Sequence, residues 1–165
     1  MTDKKLPTTK AELAAQNPHL TGFMKYIDRL NEESEMGAVL ISASMIDEQL
    51  RATLLAHLMD VPEATELLEG GNAPLGTFSS RTTAAYCHGL INKDEFDEIN
   101  RIRKIRNDFA HDMDTTFKTR SVIDRCANLK MGAKSYLDGD GKKVDVDARA
   151  QFTTAAISVV ARLNN

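Results

Sequence analysis

Between Leu20 and Leu58 apolar residues return every three or four positions, and no other feature of the chain restricts its fold as much. The first run is Leu20, Phe23, Met24, Ile27 and Leu30; the second is Met36, Leu40, Ala43, Ile46, Leu50, Leu54 and Leu58. That period belongs to a helix with one buried face, not to a strand. Gly37 lies between the runs and is expected to mark a kink or break. The same period returns in Phe96, Ile99, Ile102, Ile105 and Phe109, and again in Phe152, Ala155, Ala156, Val159 and Leu163. Strand signals are nearly absent: aromatics are 5% of the chain and there is no Trp. The fold class is therefore all-α, a bundle of four or five main helices.

Local signals divide the chain further. Thr9 with Glu12 has capping-box spacing and could open a short helix ending before Pro18. Pro62 suits the first turn of a short helix over 62–69. Gly70 to Thr77 reads as a turn-rich structural loop, since it lacks the Gly-Lys-Ser/Thr ending of a phosphate-binding loop. Ser79 is the expected cap of the next helix, and Gly89 its stop. Asn92 with Glu95 opens a strong helix running to about His111, and Ser121 to Leu129 forms a shorter one. Residues 130–147 read as a turn or small hairpin around Gly139 and Gly141. Asp138-Gly139-Asp140-Gly141 is out of register for a calcium loop and reads as a solvated turn. The whole, residues 1–165, is expected to be one domain, with 1–19 as an N-terminal arm and a final helix over 148–163.

Composition limits the function classes. Net charge is −3, which argues against a broad nucleic-acid footprint but leaves room for a local basic groove. Cys87 and Cys126 have neither CxxC nor zinc spacing and are expected to be buried free thiols. No metal or other cofactor is expected. Met1 to Lys10 lacks the apolar core of a signal peptide, and no apolar run approaches the length of a membrane span, so a cytoplasmic protein without a membrane partner is expected.

The helix over 92–111 carries the chemistry. Asp94, Glu95, Asp97 and Glu98 occupy its first half; Arg101, Arg103, Lys104 and Arg106 occupy its second. This order complements the helix dipole, and a solvated face would account for it. Arg106, Asn107 and His111 ask for more. Arg can hold a phosphate, and His can move a proton near neutral pH. On an ideal helix, however, Arg106 and His111 point about 140° apart. They can share a site only if the Arg bends across, the helix end distorts, or a second copy supplies one of them.

The run Arg106-Asn107-Asp108-Phe109-Ala110-His111 resembles the Arg-polar-x-x-x-His motif of HEPN domains. That resemblance implies a small, often dimeric, helical bundle. In its nuclease members it implies a composite, metal-independent RNase site, with the residue at Asn107 orienting the Arg and His. A wider likeness, over roughly 30–130, is to the mannitol operon repressor (MltR) family. It rests on Glu33-Ser34-Glu35-Met36-Gly37-Ala38, Ile46-Asp47-Glu48-Gln49-Leu50, Ala73-Pro74-Leu75-Gly76-Thr77-Phe78-Ser79-Ser80-Arg81, Ala85-Tyr86, Gly89-Leu90-Ile91 and Arg103 to His111. It implies a HEPN-like helical regulator without a standard DNA-reading module. The leading expectation is thus a negative transcriptional regulator, a homodimer working mainly through a protein partner. The alternative is a HEPN-type endoribonuclease, a toxin or defence effector, with Arg106, Asn107 and His111 catalytic. A third reading is a non-catalytic dimeric scaffold. Arg103, Lys104 and Arg81, cations inside the matching segments, are the candidate binding residues, with RNA or DNA as possible ligands.

Overall fold

The computed structural model describes residues 21–164. The capping box at Thr9 and Glu12, the helix it would open, the 1–19 arm and Leu20 lie outside the described residues. Seven helices and one two-stranded hairpin make up the described part: α1 (Thr21–Glu32), α2 (Glu35–His57), α3 (Pro62–Leu68), α4 (Phe78–Cys87), α5 (Lys93–His111), α6 (Arg120–Ala127), β1 (Ser135–Leu137), β2 (Lys143–Asp145) and α7 (Ala148–Leu163). The fold is an all-α bundle.

The long apolar run becomes α2, which is the axis of the bundle. It packs against α1, α3, α4, α5 and α7. Being surrounded, it buries Ala38, Val39, Ser42, Ala43, Ile46, Leu50 and Leu54, more than one stripe's worth of positions. The helix breaks before Gly37, not at it. Ser34 is the N-cap, its hydroxyl accepting from the Gly37 amide at 3.0 Å, so Gly37 sits inside the first turn. The serine supplies the acceptor that a new helix start needs, whereas a glycine can only permit a bend.

Tyr26 of α1 is buried against α2 and donates to Ser42 Oγ at 3.4 Å. Burial pushes its phenol up to about 12. From the other side α7 lays Phe152, Ala155, Ala156, Val159 and Val160 into the core. Phe109 of α5, Phe117 and Phe152 form a chain of ring contacts at 5.1 and 5.6 Å, joining α5 to α7 through the intervening loop. Arg149 of α7 donates to the Glu33 carbonyl at 2.6 Å, tying the last helix to the α1–α2 junction.

The cap of α4 lies two residues before Ser79. Thr77 accepts from the Ser80 amide at 3.1 Å, and Ser80 Oγ accepts from the Thr77 amide at 3.1 Å. The reciprocal partner is a serine where the usual signature has Glu or Gln. Gly89 stops the helix as expected, with φ +70°, in the left-handed region open to glycine. In the hairpin, Ser135, Tyr136 and Leu137 pair antiparallel with Asp145, Val144 and Lys143. The Asp138 carboxylate accepts from the amides of Asp140 and Lys142 at 3.1 and 2.8 Å, so it organises its own turn. Among the described residues no helix is long and apolar enough to cross a membrane.

Candidate functional site

α5 positions the site. Its start is the capping box read from sequence: Asn92 Oδ1 accepts from the Glu95 amide at 3.0 Å, and Glu95 accepts from the Asn92 amide at 2.8 Å. Its end is His111, followed by the C-cap Asp112. Glu98, Ile99, Ile102, Ile105 and Phe109 are buried, which fixes the rotation of the helix. His111 lies about 160° around the helix from Phe109 and is exposed, as is Arg106.

Arg106 Nη1 donates to Asn107 Oδ1 at 3.2 Å. The polar residue beside the arginine is therefore in contact with it within one chain. Among the described residues the structure gives no hydrogen bond or ion pair between Arg106 and His111, and the His111 side chain makes none at all. Ala110, Asp112, Met113 and Asp114 around it are also exposed, Met113 at 90%. The end of α5 is thus an open surface.

The candidate binding residues separate. Lys104 is exposed and has no ionic or hydrogen-bonded partner among the described residues. Arg103 is half-buried and donates to Asn100 Oδ1 at 3.1 Å, while its Nε is buried with no partner among the described residues. Arg81 is a strut. Its Nε donates to the Leu75 carbonyl at 3.0 Å, one terminal nitrogen to the Leu68 carbonyl at 2.7 Å, and the other lies 3.0 Å from Asp47 Oδ2. These contacts pin the Gly70–Thr77 loop between α3 and α2, and only 11% of the side chain is exposed. Presenting a cation to a ligand would require breaking them.

Two features go beyond the sequence candidates, of which they include only Lys104. Glu98 is fully buried, and its carboxylate receives the Lys130 amide at 3.0 Å, the Met131 amide at 2.8 Å and Arg101 Nη1 at 3.1 Å. It latches the segment after α6 onto α5; a buried carboxylate is tolerated when donors surround it in this way. The signal for it was present, because Glu98 precedes Ile102 by four residues and shares the apolar face. The second feature is a cleft of about 180 Å³ between α5 and α6, lined by Arg101, Lys104, Arg125 and Asn128. Arg125 reaches it across the helix pair, held by Asp108 Oδ2 at 2.6 Å.

The two cysteines differ. Cys126 is buried and its thiol is pushed up to about 12 by burial. Cys87, expected to be buried, is exposed at the end of α4, on the side of the last turn away from buried Ala85.

The sequence matches no protein-family model and no curated protein. In structure the chain is similar to a chain of the Escherichia coli MtlR–HPr complex, with a TM-score of 0.69 and 16% identity. The match covers 87% of this chain and 98% of that one. At that identity the likeness establishes the shared helical fold.

Proposed function

We propose that the protein is a negative transcriptional regulator of the mannitol operon repressor type, a helical homodimer that acts mainly through protein contacts. One observation carries this reading: the fold is shared over 98% of a chain whose solved structure is a complex with a protein, HPr. The mannitol operon repressor resemblance of residues 30–130 points the same way. The net charge of −3 disfavours an extended DNA contact made by this chain alone. The test is titration of the purified protein with HPr from the same host, beside a DNA shift assay on its mannitol promoter. Saturable binding to HPr, with no shift of DNA by the protein alone, is expected. A salt-sensitive DNA complex without HPr binding would overturn the proposal.

A metal-independent ribonuclease is the second reading, favoured by the Arg106–Asn107 contact and the unengaged His111. In it, His111 assists attack by the RNA 2′-hydroxyl and Arg106 stabilises the charge of the phosphorane. Because the two side chains leave one helix in different directions, the site would be completed by a second copy. Cleavage of host RNA in the presence of chelator, lost in both Arg106→Ala and His111→Ala, would establish it. Wild-type protein that leaves RNA intact, or that sediments only as monomer at micromolar concentration, would remove it.

A further inference from the structure

We propose that the cleft between α5 and α6 is a binding site for a compact, multiply charged oxyanion, of the class of a phosphate monoester. Three cationic side chains, Arg101, Lys104 and Arg125, and the amide of Asn128 converge on it. Two of the cations are fixed. Arg101 is held through one terminal nitrogen on buried Glu98, and Arg125 through Nε on Asp108. Each keeps further N–H groups of its planar fork outside those two contacts, the geometry that matches phosphate oxygens. Asn128 is also fixed, its amide nitrogen donating to the Asp124 carbonyl at 2.8 Å.

The charges around the cleft do not cancel. The Glu98 carboxylate is shared among Arg101 and two backbone amides. Asp97, a turn nearer the start of α5, is ion-paired with Lys93, and Asp124 with Arg120. Lys104 has no counter-charge in contact among the described residues. Arg101, Lys104 and Arg125 against Glu98 and Asp108 leave a local excess of one positive charge on a chain whose net charge is −3. A positive recess in an acidic protein favours a small anion that fits inside the recess. A long polyanion would place most of its charges beyond a recess of this size. The site uses neither Arg106, Asn107 nor His111, so it stands apart from the ribonuclease reading; of the candidate binding residues it takes up Lys104 alone.

The test is an NMR titration of the full chain with inorganic phosphate, sodium chloride being used to hold ionic strength constant. Saturable shifts confined to the amides around Arg101, Lys104, Arg125 and Asn128 are expected. Lys104 is exposed and unpartnered, so Lys104→Gln should keep the spectrum of a folded protein while weakening phosphate binding by about tenfold. Arg125→Lys keeps the charge but loses the fork, and should also bind more weakly. Shifts that rise linearly without saturation, equal shifts with chloride alone, or unchanged affinity in Lys104→Gln would each overturn the proposal. A short single-stranded oligonucleotide is the second arm. Binding at these residues that is tighter per phosphate than inorganic phosphate would identify a nucleic-acid backbone as the source and overturn the compact-anion reading.

Discussion

The two halves of α5 carry opposite charges, and they also use them differently. In the first half nearly every polar group has a structural task. Asn92 and Glu95 cap the helix, Lys93 pairs with Asp97, Glu95 reaches Arg162 of α7 at 3.6 Å, and Glu98 holds two amides of another segment. In the second half Lys104 and His111 are unengaged among the described residues, and Arg106 touches only its own neighbour. A dipole argument treats the halves as mirror images. The structure shows that they differ in what packs against them. α7 and the segment after α6 take up polar groups of the first half, whereas the second half buries Ile105 and Phe109 and leaves Lys104, Arg106 and His111 facing solvent.

Substitutions can break or sharpen this contrast. The largest effect is expected from Phe109→Ala, which removes the buried ring beneath the exposed end of α5. It should cost about 3–5 kcal/mol in denaturant unfolding, and an unchanged midpoint would mean that the second half lacks a buried face. Glu98→Ala should follow, at about 2–4 kcal/mol, because two part-buried amides lose their acceptor, each toward the low end of the about 1–3 kcal/mol that a fully buried group costs. Faster hydrogen exchange at the Lys130 and Met131 amides should accompany it; protection equal to wild type would show that the latch is not what orders that segment. Asn92→Ala removes one arm of the capping box and should cost about 1 kcal/mol, measured by the same unfolding curves. His111→Ala should change stability by less than about 0.5 kcal/mol, as expected for an exposed side chain without partners. A loss as large as that of Asn92→Ala would erase the difference between the halves.

Sequence periodicity was sufficient wherever a helix has one buried face and a recognisable cap. Asn92 with Glu95 at one end and His111 at the other bounded α5, and residues 148–163 were read as the helix that α7 is. Periodicity failed where the deciding partner is remote in sequence. Glu98 is given its role by Lys130 and Met131, and Arg81 by Leu68, Leu75 and Asp47. The cleft depends on Arg125 and Asn128 arriving from α6. The caps at Ser34 and Thr77 were missed for a different reason. Each helix start is chosen by the hydroxyl that reaches the first free amides; Ser79 competes with Thr77 for that role on paper, and Gly37 drew attention as a breaker away from Ser34. Of the candidate site, the exposure of His111 followed from the helix wheel, whereas that of Arg106, only about 40° from Ile102 on the same wheel, did not. The fixed geometry of Arg101 and Arg125 did not, because it is set by contacts between helices.

The place of α7 in the bundle has a consequence for how the protein is made. Its apolar residues complete the core around α2, yet α2 ends at His57 and α7 begins only at Ala148. At ordinary synthesis speeds of about 5–20 residues per second, roughly 5–20 s separate the two. During that time Ile46, Leu50 and Leu54 belong to a nascent chain that lacks one of the helices meant to cover its axis. Such an intermediate exposes apolar surface and is vulnerable to aggregation, so the growing chain is a natural client for chaperones that bind at the ribosome. A message cut short before codon 148 would yield a product held in that condition permanently, and degradation is its expected fate.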